Sequence, residues 1–321
     1  MAEKTPLLYI VVPCFNEQEV LSVSHEKLMS LIKDMGDQGI IDGKSKLLYV
    51  DDGSRDDTWR LIEGFVEKSQ QVAGVRLAAN SGHQNALMAG LAAAVEHADA
   101  VVSIDADLQD DINVIPQMVE KYAEGCDIVF GVRKERKADS WFKRTTASMF
   151  YKLMKWLGAS TVNNHADYRL MSRRAVLSLL DYHERNLFIR GIVTKLGYKT
   201  DTVYYDRTAR MAGESKYPFR KMVNFAIDGI TSFSVKPVRL VFTVGVMFLV
   251  IALIMLIYVL CAYFMGRAVS GWPSLILSIW LVGAFILIGL GIIGEYVGKI
   301  YTEVKNRPRY NVDTTIGLNQ D

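Results

Sequence analysis

Asp105-Ala106-Asp107 sets two carboxylates one residue apart, directly after the apolar run 100–104. At the end of a strand both can face one crevice. Hard oxygen donors of this kind suit Mg²⁺ or Mn²⁺ bridging to substrate phosphates. Such a cation would stabilise the charge that develops when a nucleoside diphosphate departs. Asp51-Asp52-Gly53-Ser54 follows another apolar run, and Asp52 there can accept hydrogen bonds from a base or ribose. Asp57, just beyond, reads as a helix N-cap. Glu17, in Pro13-Cys14-Phe15-Asn16-Glu17, is either a ligand contact or a favourable acid in the first turn of a helix. Eight cations lie between Arg133 and Lys155, Arg144 among them, against Glu135 and Asp139. Arg133 sits just past an apolar run, and its planar guanidinium suits bidentate phosphate binding. A second basic site is Arg210-Met-Ala-Gly-Glu-Ser-Lys216. Asp167 either orients a substrate or partners Arg169, and His83 either touches substrate or belongs to a helix start. The sequence contains no P-loop, nucleophile elbow, zinc signature or dinucleotide glycine fingerprint.

The elements that position these residues follow from the apolar pattern. Short β-branched or apolar runs at 7–12, 46–50, 74–77, 100–104 and 128–131 alternate with helical spacing at 17–35, 56–67, 82–96 and 116–124. Continuous apolar strands separated by helices predict an α/β domain around a mostly parallel sheet covered on both faces. Ligands of such sheets bind beyond the carboxyl ends of the strands, where the carboxylates above are found. One catalytic domain over residues 1–215 is expected.

Two uncharged runs, 240–266 and 268–294, each exceed the roughly 20 residues that cross a bilayer. Only Arg267 and the Trp272-Pro273 turn interrupt them, so they predict a transmembrane hairpin within 238–300, its spans at about 240–266 and 274–294. A buried helical pair in a soluble core is the alternative. Lys236 and Arg239 before the first run, and Lys299, Lys305, Arg307 and Arg309 after the second, place both chain ends in the cytoplasm, with 301–321 as a tail. Residues 141–157 and 219–235 interleave aromatic and apolar side chains with Lys and Arg. Beside a membrane hairpin they are expected to include an amphipathic interfacial helix, 216–237 forming the linker. Gly283, Gly289, Gly291 and Gly294 permit close helix packing and a homo-oligomer. Cys14, Cys126 and Cys261 suggest neither disulfide nor thiolate site, and a net charge of +2 gives no reason to expect nucleic acid.

Taken together, Val12-Pro-Cys-Phe-Asn-Glu17, Val50-Asp-Asp-Gly-Ser54, Asp105-Ala-Asp-Leu-Gln109, Gly131-Val-Arg133, Asp167-Tyr-Arg-Leu170 and Gly213-Glu-Ser-Lys216 resemble the inverting family 2 glycosyltransferases. More narrowly, the chain is similar to the polyisoprenyl-phosphate glycosyltransferases, relatives of dolichyl-phosphate mannose synthase. The bacterial bactoprenol (undecaprenyl-phosphate) glucosyltransferases also share the C-terminal hairpin. The resemblance implies a GT-A fold, and a nucleotide held by Pro13, Phe15, Glu17, Asp52 and Asp105. It implies a metal at Asp105 and Asp107 with Gln109 close by, and donor or lipid phosphates met by Arg133, Arg144, Arg210 and Lys216. The Gln-x-x-Arg-Trp motif of processive relatives is missing from this sequence, so repeated addition is not expected.

The expected reaction is a single inverting displacement at the cytoplasmic face. The phosphate of a polyprenyl phosphate attacks the anomeric carbon of a UDP-sugar, glucose or N-acetylglucosamine being favoured. A separate flippase and a later transferase would complete a cell-envelope modification. Two other readings stay open: a transferase with a hydroxyl acceptor, for which Asp167 would be the general base, and a non-catalytic nucleotide-binding membrane subunit.

Overall fold

The computed structural model describes residues 5–133, 165–184, 188–206 and 271–318, with further positions between 238 and 265. Eight strands are present: β1 Leu8–Cys14, β2 Lys46–Asp51, β3 Val72–Leu77, β4 Ala100–Ser103, β5 Ile128–Arg133, β6 His165–Ser172, β7 Thr200–Tyr205 and β8 Val312–Ile316. They form one sheet in the order β7-β5-β6-β4-β1-β2-β3-β8. The helices are α1 Leu21–Asp37, α2 Thr58–Lys68, α3 His83–Val95, α4 Ile115–Ala123, α5 Arg173–Leu180, α6 Ile189–Val193 and α7 Trp272–Val304. The chain divides into two compact units, the sheet with α1–α6 and the unit that contains α7.

The five predicted strands all form, and the central ones are buried along their whole length. That is what two covered faces require of a parallel sheet. Helix α1 buries Leu21, Ser24, Leu28, Ile32 and Met35, a single stripe at helical spacing. Direction decides what the sheet can do. Strands β2 and β4 pair parallel with β1, Pro13 opposite Val50 and Val11 opposite Ser103, so three strand ends share one edge. Strand β6 runs antiparallel to β4 with Arg169 opposite Ser103, so it begins at that same edge and delivers Asp167 there. Strand β5 is antiparallel to β6 and ends at this edge with Arg133.

Helix α3 approaches the sheet through Gly90. A Cβ there would lie 2.4 Å from Val11 Cγ1 and 2.6 Å from Val50 Cγ2. Gly90→Ala should therefore overpack the sheet and cost about 1–3 kcal/mol, read as a lower thermal midpoint in detergent. An unchanged midpoint would mean that α3 shifts at no cost.

In the second unit, α7 is 33 residues long, about 50 Å at the helical rise. Its part Leu281–Val304 has a mean hydropathy of 2.0 and is the one helix among the described residues long and apolar enough to cross a bilayer. Trp272-Pro273 does not make the expected turn. It opens the helix with proline in the first turn, a position that needs no N–H partner. Nor does the helix stop at Gly294, because it runs on through Glu295 and Lys299 to Val304. Most of the run 240–266 lies outside the described residues, as do Arg144, Arg210, Lys216 and the stretches 141–157 and 219–235. Positions 241–247 are helical, and a Cβ on Gly289 would stand 3.2 Å from Val241 Cγ1.

Candidate active site

The loops after β1 and β2 are stitched into one surface. The Asn16 amide donates to Ser54 Oγ (2.9 Å), the Arg55 amide to Asn16 Oδ1 (2.9 Å) and the Glu17 amide to Thr58 Oγ1 (2.9 Å). Asn16 takes φ +55° to do this, a conformation asparagine tolerates better than most residues. Pro13 is buried, whereas the Phe15 ring is 42% exposed at the mouth of the loop. Glu17 precedes α1, which starts at Leu21, and is not an acid in that helix's first turn. The N-cap position of α2 is Asp57, the expected one, but its side chain makes no capping bond. Asp56 instead accepts from the Thr58 amide (3.1 Å) and hydroxyl (2.6 Å).

Asp52 is 2% exposed, and its two oxygens accept the amides of Ser81 (2.7 Å) and Gly82 (2.9 Å). Burial raises its carboxyl above the ordinary range against those two bonds. Gly53, at φ +68°, lets the 79–80 backbone lie against it, since a Cβ would come within 2.7 Å of the Asn80 amide nitrogen. Asp52 thus ties the second loop to the segment that opens α3 with His83. A sequence cannot reveal that engagement, because its donors are backbone amides 29 and 30 residues away.

Asp105 and Asp107 flank a turn that Ser24 anchors from α1, its hydroxyl donating to the Ala106 carbonyl (2.6 Å). Leu108 takes φ +43°. The turn lets Gln109 fold back, its Nε2 donating to Asp107 Oδ2 (2.7 Å). Gln109 is thereby placed against Asp107. Asp105 is half-buried, and desolvation raises its carboxyl while the charge of His83 opposes the rise.

Asp167 stands opposite. It accepts Arg169 Nη2 (2.6 Å), Arg190 Nε (3.1 Å) and Arg190 Nη2 (3.0 Å). His83 Nε2 lies between the two acids, 3.6 Å from Asp105 Oδ1 and 3.7 Å from Asp167 Oδ2. Burial alone would raise the Asp167 carboxyl. His83, Arg169 and Arg190 override it and hold the group well below the usual carboxylate range. Asp167 in turn raises the His83 imidazole, against desolvation and with help from Asp105.

Arg133 does reach this edge, but not as a free cation. Its Nε (3.0 Å) and Nη2 (2.9 Å) both donate to Asp110 Oδ1, which also accepts the Tyr205 hydroxyl (2.7 Å). Asp110 is 2% exposed and Arg133 is 29% exposed, leaving one side of the guanidinium toward the crevice. Arg190 is carried by no sequence motif and meets Asp167 from 23 residues away. Asp110 is legible in the sequence only as part of the polar continuation 108–111 of the acidic pair, and its capture of Arg133, also 23 residues away, is not.

A sheet whose strand ends gather Asp105, Asp107 and Asp167 beside a stitched loop pair defines a GT-A-like α/β fold. The chain belongs to glycosyl transferase family 2, whose description it matches over residues 9–180. Over 98% of its length it is 49% identical to the uncharacterized glycosyltransferase YkoT of Bacillus subtilis, covering 93% of that protein. It is 40% identical to the SfII prophage-derived bactoprenol glucosyl transferase of Shigella flexneri, over 94% of this chain and 96% of that one. The prophage bactoprenol glucosyl transferase homolog of Escherichia coli is 38% identical over the same shares. The protein is accordingly a glycosyltransferase.

Proposed function

We propose that this enzyme transfers a sugar from a UDP-sugar, glucose or N-acetylglucosamine being favoured, to the phosphate of a polyprenyl phosphate, undecaprenyl phosphate in particular. The relatives named bactoprenol glucosyl transferase support the acceptor class. The observation that carries the reading is the state of Asp167. A hydroxyl acceptor needs a general base with affinity for a proton, and Asp167 is committed to two guanidinium groups that keep it an anion. A phosphate monoester, with a second pKa of about 6, arrives already ionised. Its oxygen attacks the anomeric carbon opposite the departing UDP, inverting that centre, while Asp167, His83 and Arg190 orient the reactants.

Pro13, Phe15, Glu17 and Asp52 form the nucleotide side of the crevice. Arg133, Arg144, Arg210 and Lys216 meet phosphates. The acidic pair fits Mg²⁺ or Mn²⁺ by its chemistry. Asp105 and Asp107 are oxygen donors at a turn, with the Gln109 amide against Asp107, and such ions take substrate phosphates and water as remaining ligands. Asp105 and Asp107 would hold the cation, which supplies Lewis-acid stabilisation of the departing diphosphate. Leu281–Val304, the one helix among the described residues long and apolar enough to cross a bilayer, supports a membrane anchor, and the uncharged run 240–266 is read as its second span. We place the crevice on the cytoplasmic side of the membrane. Homo-oligomerisation, a separate flippase and a downstream transferase complete the reading.

The deciding experiment compares a polyprenyl phosphate with the matching polyprenol as acceptor for the purified enzyme, following UDP release from UDP-glucose and UDP-N-acetylglucosamine. Turnover on the phosphate alone is expected. Equal turnover on the alcohol would replace this reading with a hydroxyl transferase.

A further inference from the structure

We propose that Arg190 is itself a phosphate-binding residue of the crevice, held by Asp167 so that its remaining edge meets an oxygen of the donor diphosphate or of the acceptor phosphate. The inference rests on the phosphate-handling reading of this site given above.

Asp167 takes Nε and Nη2 of Arg190, and Nη1 has no hydrogen-bond partner among the described residues. The side chain is 44% exposed. Arg169, the other guanidinium on Asp167, is 2% exposed and sealed in the sheet. The two arginines therefore divide the work, one buried as a counter-charge and one presented to the crevice. Helix α6 is anchored at its first residue, where the Ile189 amide donates to Gln84 Oε1 (3.1 Å), next in sequence to His83. Arg190 is thus fixed relative to the imidazole that stands between Asp105 and Asp167.

Charge supports the same assignment. Desolvation opposes the charge of Arg190, Asp167 and Asp105 outweigh it, and Arg133 and Arg169 add repulsion that a bound anion would relieve. The Nε of Arg169, although buried, also lacks a partner. Three guanidinium groups are gathered here on two carboxylates, Asp110 and Asp167. Once Asp105 and Asp107 are occupied by a cation, that group carries surplus positive charge. A planar fork with one open edge suits a phosphate oxyanion.

The test titrates the full-length protein in detergent with UDP against uridine, and with farnesyl phosphate against farnesol. Wild type is expected to bind each phosphate-bearing member of a pair more tightly. Arg190→Ala should weaken one phosphate-bearing ligand by about 10- to 100-fold and leave uridine and farnesol unchanged. Loss confined to UDP assigns the donor diphosphate, and loss confined to farnesyl phosphate assigns the acceptor. Arg190→Lys should recover part of the affinity, because it keeps the charge and loses the fork. Arg190→Gln, which retains an amide donor for Asp167, serves if the alanine variant does not fold. Binding of both phosphates within twofold of wild type would overturn the proposal and reduce Arg190 to a clamp on Asp167. A wild-type protein that distinguishes neither pair would sink the phosphate reading of the whole crevice, a result separable from the variant's.

Discussion

Asp107→Asn is expected to abolish sugar transfer, lowering turnover by about a thousandfold or more at saturating Mg²⁺ or Mn²⁺, while the protein still folds and inserts into membranes. The substitution keeps the size of the side chain and removes one anionic oxygen. Gln109 Nε2 now donates to Asp107 Oδ2, so an asparagine there either turns its amide against another amide donor or rotates its one carbonyl away from the expected cation. Asp107 is half-exposed in a turn, and its loss should cost little stability. The assay measures UDP release over a metal titration, with far-UV circular dichroism and membrane fractionation as controls. Wild-type turnover in this variant would remove the acidic pair from any role with the metal. Turnover restored at high metal would contradict the expected loss and show that Asp107 tunes metal affinity without being required for transfer.

The residues around Asp107 also mark where sequence reading succeeds and where it stops. The β1, β2 and β4 strands are legible because each is an uninterrupted apolar run ending in polar residues, and chemistry at strand ends follows from parallel pairing alone. Strand β6 is not legible in this way. His165-Ala-Asp-Tyr-Arg-Leu-Met-Ser172 buries Arg169 among Tyr168, Leu170 and Met171, so neither a continuous run nor a clean alternation announces it. Strand β8 is short, largely exposed and polar at Asp313, Thr314 and Thr315. It exists as a strand because β3 offers it an open antiparallel edge, and the sequence reads only as a tail. Lys46 Nζ to the Gly317 carbonyl (2.7 Å) and the Ala78 amide to the Asn311 carbonyl (2.9 Å) secure both ends of that pairing. The partner choices behind the site are likewise tertiary. Arg133 is foreseeable as a cation at the crevice, but its capture by Asp110 and Tyr205 depends on β5 and β7 lying side by side.

Asp167→Asn should produce the largest loss of stability, because it removes the counter-charge of a guanidinium with no access to water. Arg169 is 2% exposed, and Asp167 Oδ1 is its closest acceptor. Removing one member of a buried ion pair typically costs about 3–5 kcal/mol, since the other charge stays buried without compensation. The pH dependence separates this effect from loose packing. The Asp167 carboxyl titrates below its unfolded value, so its contribution is present above about pH 4 and is lost as pH falls toward the folded value. His83 works in the opposite direction. Its raised imidazole stabilises the fold below about pH 6.5, and that contribution fades as pH rises through the folded value. Both depend on Asp167. Thermal midpoints of wild type and variant should therefore differ most between about pH 4 and 6.5, and converge toward strong acid, where the wild-type carboxyl is itself protonated. A difference that stays constant from pH 3 to 8 would mean that Asp167 acts through shape alone. Transfer to a polyprenyl phosphate should also fall by at least about a hundredfold at a temperature where the variant is folded, because an asparagine holds neither Arg190 nor His83 in place. Near-normal turnover in the folded variant would leave Asp167 as a counter-ion for Arg169 and move the orientation of the reactants to other residues.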